Sequence, residues 1–148
     1  MDKCVKTAAL YIAALKAIAL ISRHNHWSTK GDNFYGSHLL FERLYNSALE
    51  NLDLAAEKLI GLFGDQVLDY DTQTDLLNRT LSKYKNLEGS PARMCLAVEK
   101  DFIKFGSDAY KVFEDEGKLT LGLDDMLMAI VSKREESVYL LQQTLDQD

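Results

Sequence analysis

Residues 26–57 read HWSTKGDNFYGSHLLFERLYNSALENLDLAAE, and the reading of this stretch decides the fold. Five side chains able to hold a metal recur in it with the spacing H-x11-H-x3-E-x10-D-x3-E: His26, His38, Glu42, Asp53 and Glu57. An α-helix turns about 100° and rises about 1.5 Å per residue. With His38 at 0°, Glu42 falls at roughly 40°, Asp53 at roughly 60° and Glu57 at roughly 100°, so the four form one polar stripe. Leu40, Leu44, Ala48, Leu52, Ala55, Leu59 and Leu62 gather on a different face in the i, i+3, i+4 pattern of a helix that buries one side in a bundle. The ligand stripe is therefore expected to lie off the bundle core.

Distance limits how that stripe can bind an ion. The His38/Glu42 pair and the Asp53/Glu57 pair are centred roughly 22 Å apart along one helix, so a single ion cannot touch both. An antiparallel copy of the helix, related by a two-fold axis, brings His38 and Glu42 of one subunit opposite Asp53 and Glu57 of the other. His26, near the end of the preceding helix and returned beside His38 by a short loop, adds a second imidazole. Two nitrogens and three carboxylates suit Fe(II), with Zn(II) and Mn(II) as competitors. Taken singly, a His and a Glu four apart are more often a helix-surface pair, and a carboxylate stripe is usually a solvated face. Five such residues at fixed spacing weigh more than any one of them.

The segment HWSTKGDNFYGSHLLFE, followed by LDLAAEK, resembles the core of the Dps-type miniferritins. That resemblance implies ferroxidase centres at a two-fold dimer interface, built from His26, His38, Glu42, Asp53 and Glu57, with Trp27 matching the aromatic residue beside the centre. One residue departs from the pattern: Glu42 stands where most members have Asp, which keeps a carboxylate but lengthens its reach by a methylene. The resemblance further implies iron, taken up as Fe2+, oxidised preferably by hydrogen peroxide and stored as Fe3+ mineral in a hollow homo-oligomeric shell, a dodecamer of two-fold dimers. Trp27 is then expected to pack at the interface or to donate an electron and limit radical release. Asp125 aligns with a family pore acid, although Glu114, Asp115, Glu116, Asp124 and Asp125 read equally well as a solvated turn with helix-dipole partners. Two other functions stand beside this one. A shell whose Glu42 site holds Zn(II) or nothing useful is the structural alternative. Nucleoid DNA binding, which some members perform with a basic tail, is expected to be weak here, because the ends carry only Met1-Asp2 and LDQD.

Composition bounds the rest. At 148 residues the chain is read as one domain, 1–148, and its single Pro and long periodic segments argue all-α. Seventeen basic and 23 acidic side chains give a net charge of −6, which disfavours nucleic acid and anionic membranes as partners. Cys4 and Cys95 have no CxxC spacing, so free thiols in a reducing, cytoplasmic compartment are expected. The early apolar run AALYIAAL is interrupted by Lys16 and is read as a bundle helix rather than a signal peptide, and no stretch is expected to cross a membrane.

In order, the pattern predicts a first helix from about Lys3 to Thr29 with Gly31 as its left-handed cap, and a second from Phe34, capped by Asp32 or Asn33, to about Phe63. A short helix capped by Asp71 or Thr72 is expected inside the long connection from Gly64 to Ser90. Ser90-Pro91 starts a third long helix reaching about Glu116, and a fourth begins at Gly122 or Leu123 and ends near the C-terminus. The sum is an all-α, ferritin-like four-helix bundle with a short helix between helices two and three. The sequence contains no E-x-x-H, and all its His precede residue 39, so an iron centre inside one bundle is not expected. His24 points about 200° away from His26 and is not expected to reach the same ion.

Overall fold

The computed structural model describes residues 1–145; the terminal LDQD therefore lies largely outside the described residues. Among the described residues five α-helices follow one another: α1 (Lys3–Ser28), α2 (Phe34–Phe63), α3 (Tyr70–Lys85), α4 (Pro91–Asp115) and α5 (Leu121–Leu145), with a 3-10 turn at Asp65–Leu68. Among the described residues there is no strand. The four long helices pack in a ring, α1 on α2, α2 on α5, α5 on α4 and α4 on α1, and α3 lies along α1. This is the expected all-α four-helix bundle, with the short helix in the expected connection.

Helix α1 is enclosed by α2, α3 and α4. It is long and apolar enough, by composition, to cross a membrane, which the sequence reading denied. Its Tyr11, Ile12, Leu15 and Ile18 are buried in the protein core instead, which is where a helix hydrophobic on most sides belongs. On α2 the periodicity places Leu44, Ala48, Ala55 and Leu59 in the core as expected, together with Phe41. Leu62, expected inside, is 40 % exposed, and the neighbouring Phe63 turns inward instead, stacked on Phe113 at 5.6 Å.

The caps differ in detail from the sequence expectation. Helix α3 begins about one turn early, because the Asp69 carboxylate, rather than Asp71 or Thr72, accepts hydrogen bonds from the Thr72 amide (3.0 Å) and hydroxyl (2.5 Å). Buried Gln73 fixes that start by donating to the Val67 carbonyl (3.4 Å) and accepting from Lys16 Nζ (2.5 Å). Helix α5 begins at Leu121, one or two residues before the expected Gly122 or Leu123, and the Thr120 hydroxyl accepts from the Leu123 amide at 3.1 Å. Ser90 and Pro91 start α4 as expected. Gly31 has a positive φ of 99°, but it sits in the turn two residues beyond the extended cap Thr29.

The bundle interior contains one ion pair absent from the sequence reading. Glu99 on α4 and Arg134 on α5 are fully buried, 3.4 Å apart, and Arg134 also donates to Ser47 Oγ on α2 at 2.6 Å. The Tyr11 hydroxyl from α1 is buried nearby without a hydrogen-bond partner among the described residues. Burial pushes the Glu99 carboxyl up to about 7, against the opposing pull of the Arg134 guanidinium. Cys4 and Cys95 are free and buried, and burial raises the Cys95 thiol to about 11.

Candidate metal centre

The centre is assembled where α1 ends and α2 begins. Asn25, buried in the last turn of α1, donates through Nδ2 to the Pro91 carbonyl and to Cys95 Sγ, each at 3.1 Å, which pins this end of α1 to the start of α4. His26 is the next residue, so its ring is presented at the turn. The five residues between α1 and α2 then return the chain, and His38, on the second turn of α2, faces it.

The two imidazoles are stacked, with centroids 3.7 Å apart and planes at 19°. They are locked by reciprocal hydrogen bonds: His26 Nδ1 lies 2.8 Å from the His38 carbonyl oxygen, and His38 Nδ1 lies 2.7 Å from the His26 carbonyl oxygen. A carbonyl only accepts, so both Nδ1 atoms carry the proton and donate. With the proton held on Nδ1, Nε2 is the nitrogen left to bind a metal, the tautomer that ligating histidines are usually held in by such a bond. The stack is extended by Phe34, 5.1 Å from His38, and closed at the edge by Tyr45, whose ring meets His26 at 5.4 Å and 76°.

Stacking also sets how many ions the pair can serve. Imidazole binds a metal in its own plane at about 2.1 Å, and with centroids 3.7 Å apart and planes inclined at only 19° the two rings stay nearly parallel over that reach. Two nearly parallel rings share no in-plane metal position within bond length, which bears on the single shared ion the spacing suggested.

The carboxylates divide as the helix geometry requires. Glu42 is half-buried one turn beyond His38, while Asp53 and Glu57 are exposed further along α2. Among the described residues, no three His, Cys, Asp or Glu side chains come together closely enough to hold an ion. Trp27 is 64 % exposed, and its ring neighbours are His24 (5.5 Å) and the Arg23 guanidinium (5.8 Å). Exposed Leu39, Leu49 and Leu54 share α2 with the stripe. At the far end of the bundle, Glu114, Asp115, Glu116 and Asp125 are exposed and Asp124 is half-buried.

Sequence reasoning missed Tyr45 and Arg23. Tyr45 follows His38 by seven residues, which places it within about 20° of His38 on the helix, so the signal was present. Arg23 lies 5.0 Å above the Tyr45 ring as well as beside Trp27, a relation between two helices that no spacing in α1 reveals.

A bundle of four long helices, with a fifth short one in the middle connection and histidines confined to the α1–α2 turn, defines a ferritin-like protein. No family model matches the chain. It is 30 % identical over 131 residues to the general stress protein 20U of Bacillus subtilis, covering 84 % of this chain and 85 % of that one. It is 29 % identical over 136 residues to a DNA protection during starvation protein of Brevibacillus brevis, covering 87 % and 86 %. The structure of Dps from Microbacterium arborescens in its high iron form superposes with a TM-score of 0.75 over 99 % of this chain and 97 % of that one, at 16 % identity. The chain belongs to the Dps-type miniferritins.

Proposed function

We propose that this protein is an iron-storing ferroxidase whose metal sites are completed across a two-fold dimer. The observation that carries the reading is the locked His26/His38 pair, which holds two Nε2 lone pairs ready, while Asp53 and Glu57 on the same helix stripe lie too far along to join it. An antiparallel partner helix supplies those carboxylates to the pair, and the exposed Leu49, Leu54 and Trp27 give the contact its apolar surface. The high iron form of the Microbacterium arborescens Dps supports iron as the metal.

Iron is the substrate here. Imidazole nitrogen and carboxylate oxygen together hold Fe(II), and the hard carboxylates favour the ion once it is oxidised. Two Fe(II) ions together give the two electrons that one hydrogen peroxide accepts, so peroxide is reduced to two hydroxide ions without releasing a radical. The stacked rings are read as each serving one of two ions, so that two Fe(II) act together as in two-metal sites. Fe(III) then mineralises inside a hollow dodecamer, which Fe(II) enters past Asp125 and its neighbouring acids.

Subunit mixing tests the shared site. His38→Ala and Asp53→Ala are each expected to lose peroxide-driven Fe(II) oxidation. A heterodimer of the two carries one site with both lesions and one with neither, so part of the initial rate should return after dissociation, mixing and reassembly. Absence of recovery in verified heterodimers would refute the shared centre.

A further inference from the structure

Fe(II) gives one electron and hydrogen peroxide takes two, so a site holding a single Fe(II) is one electron short. Resting on the ferroxidase reading, we propose that Tyr45 supplies that electron, and that Arg23 directs the oxidation to Tyr45 rather than to Trp27. Three contacts point there. The Tyr45 ring stands edge-on against His26, 5.4 Å between centroids, so it is the phenol next to a metal-binding imidazole. Trp27, the aromatic residue the sequence singles out, has its ring against His24 and Arg23 instead. The Arg23 guanidinium lies over both oxidisable rings, 5.0 Å from Tyr45 and 5.8 Å from Trp27.

The chemistry distinguishes the two rings. Losing an electron turns indole into a cation, which a guanidinium lying on its face opposes, since the attraction of a cation–π pair depends on an electron-rich ring. A phenol loses its O–H proton together with the electron and leaves a neutral radical, which the same guanidinium opposes far less. Arg23 is thus a positioning residue that acts through the rings it covers. The step balances: Fe(II), hydrogen peroxide and the Tyr45 phenol give Fe(III), one hydroxide, one water and the neutral Tyr45 phenoxyl radical. The O–O bond breaks, iron and the phenol each lose one electron, and the phenolic proton ends in the water. A second Fe(II) with a proton then returns the radical to the phenol as a second Fe(III) forms.

The assembled protein is loaded anaerobically with one Fe(II) per His26/His38 pair, mixed with one equivalent of hydrogen peroxide, and frozen for electron paramagnetic resonance. A parallel sample is treated with a hydroxyl-radical spin trap. A tyrosyl signal is expected in the parent protein and in Trp27→Phe. It should be lost in Tyr45→Phe, which keeps the ring, with a severalfold rise in spin adduct and unchanged circular dichroism. Arg23→Gln should move part of the signal to Trp27, the chain's single tryptophan, and Arg23→Lys should return it to Tyr45. If Fe(II) is oxidised but Tyr45→Phe changes neither the radical signal nor the spin adduct, this inference falls alone. If the parent protein does not oxidise Fe(II), the ferroxidase reading falls and takes this inference with it.

Discussion

The buried pair of Glu99 and Arg134 makes a sharp stability prediction. Both side chains are fully enclosed, and each is the other's only opposite charge within salt-bridge distance among the described residues. Replacing Glu99 by Leu strands a guanidinium that cannot shed its proton, at a cost of about 3–5 kcal/mol. Replacing Arg134 by Met leaves a carboxyl that can take up a proton, so the penalty falls to about 1–3 kcal/mol, the range for a buried polar group without a good partner. The double variant Glu99→Leu/Arg134→Met removes both desolvation penalties and should lie within about 1 kcal/mol of the parent, or above it. A thermodynamic cycle over the four proteins should therefore give a large coupling energy. Burial raises the Glu99 carboxyl to about 7 in the folded protein, from a usual value of 4.5. A group raised on folding contributes stability that is complete below about 4.5 and is lost as pH rises through about 7. The parent should accordingly lose stability relative to Glu99→Gln across that window, by no more than about 3 kcal/mol. The assay is equilibrium denaturation followed by circular dichroism at fixed protomer concentration, since assembly shifts apparent stability. Additive single variants, or a Glu99→Leu cost below about 1 kcal/mol, would refute the reasoning.

Two further predictions concern the site and its partners. Glu42→Asp should retain Fe(II) oxidation, since the carboxylate is kept and only its reach changes, whereas Glu42→Ala should lower the initial rate strongly; equal rates for both variants in a stopped-flow assay would remove Glu42 from the ligand set. With a net charge of −6, the protein should not shift linear DNA in a gel at physiological salt near neutral pH, and retention matching that of a Lys-tailed homologue would contradict this.

What the sequence determined by itself is what repeats within a few turns of helix. The 3.6-residue period on α2 separates Leu44, Ala48 and Leu59 from the ligand stripe, and Ser90-Pro91 marks where α4 begins. The meeting of His26 with His38 is likewise legible, because only a short turn separates them. The tertiary structure decided the rest. The reciprocal hydrogen bonds that fix both tautomers depend on how α1 and α2 approach, which spacing cannot specify. The cap at Asp69 depends on Gln73 and Val67 packing together, so a local rule placed it too late. Glu99 and Arg134 look like ordinary surface charges in sequence, because the periodic pattern assigns charge to solvent. Only the closing of α4 against α5 brings each within reach of the other, and the Arg134 guanidinium offsets part of the cost of burying Glu99.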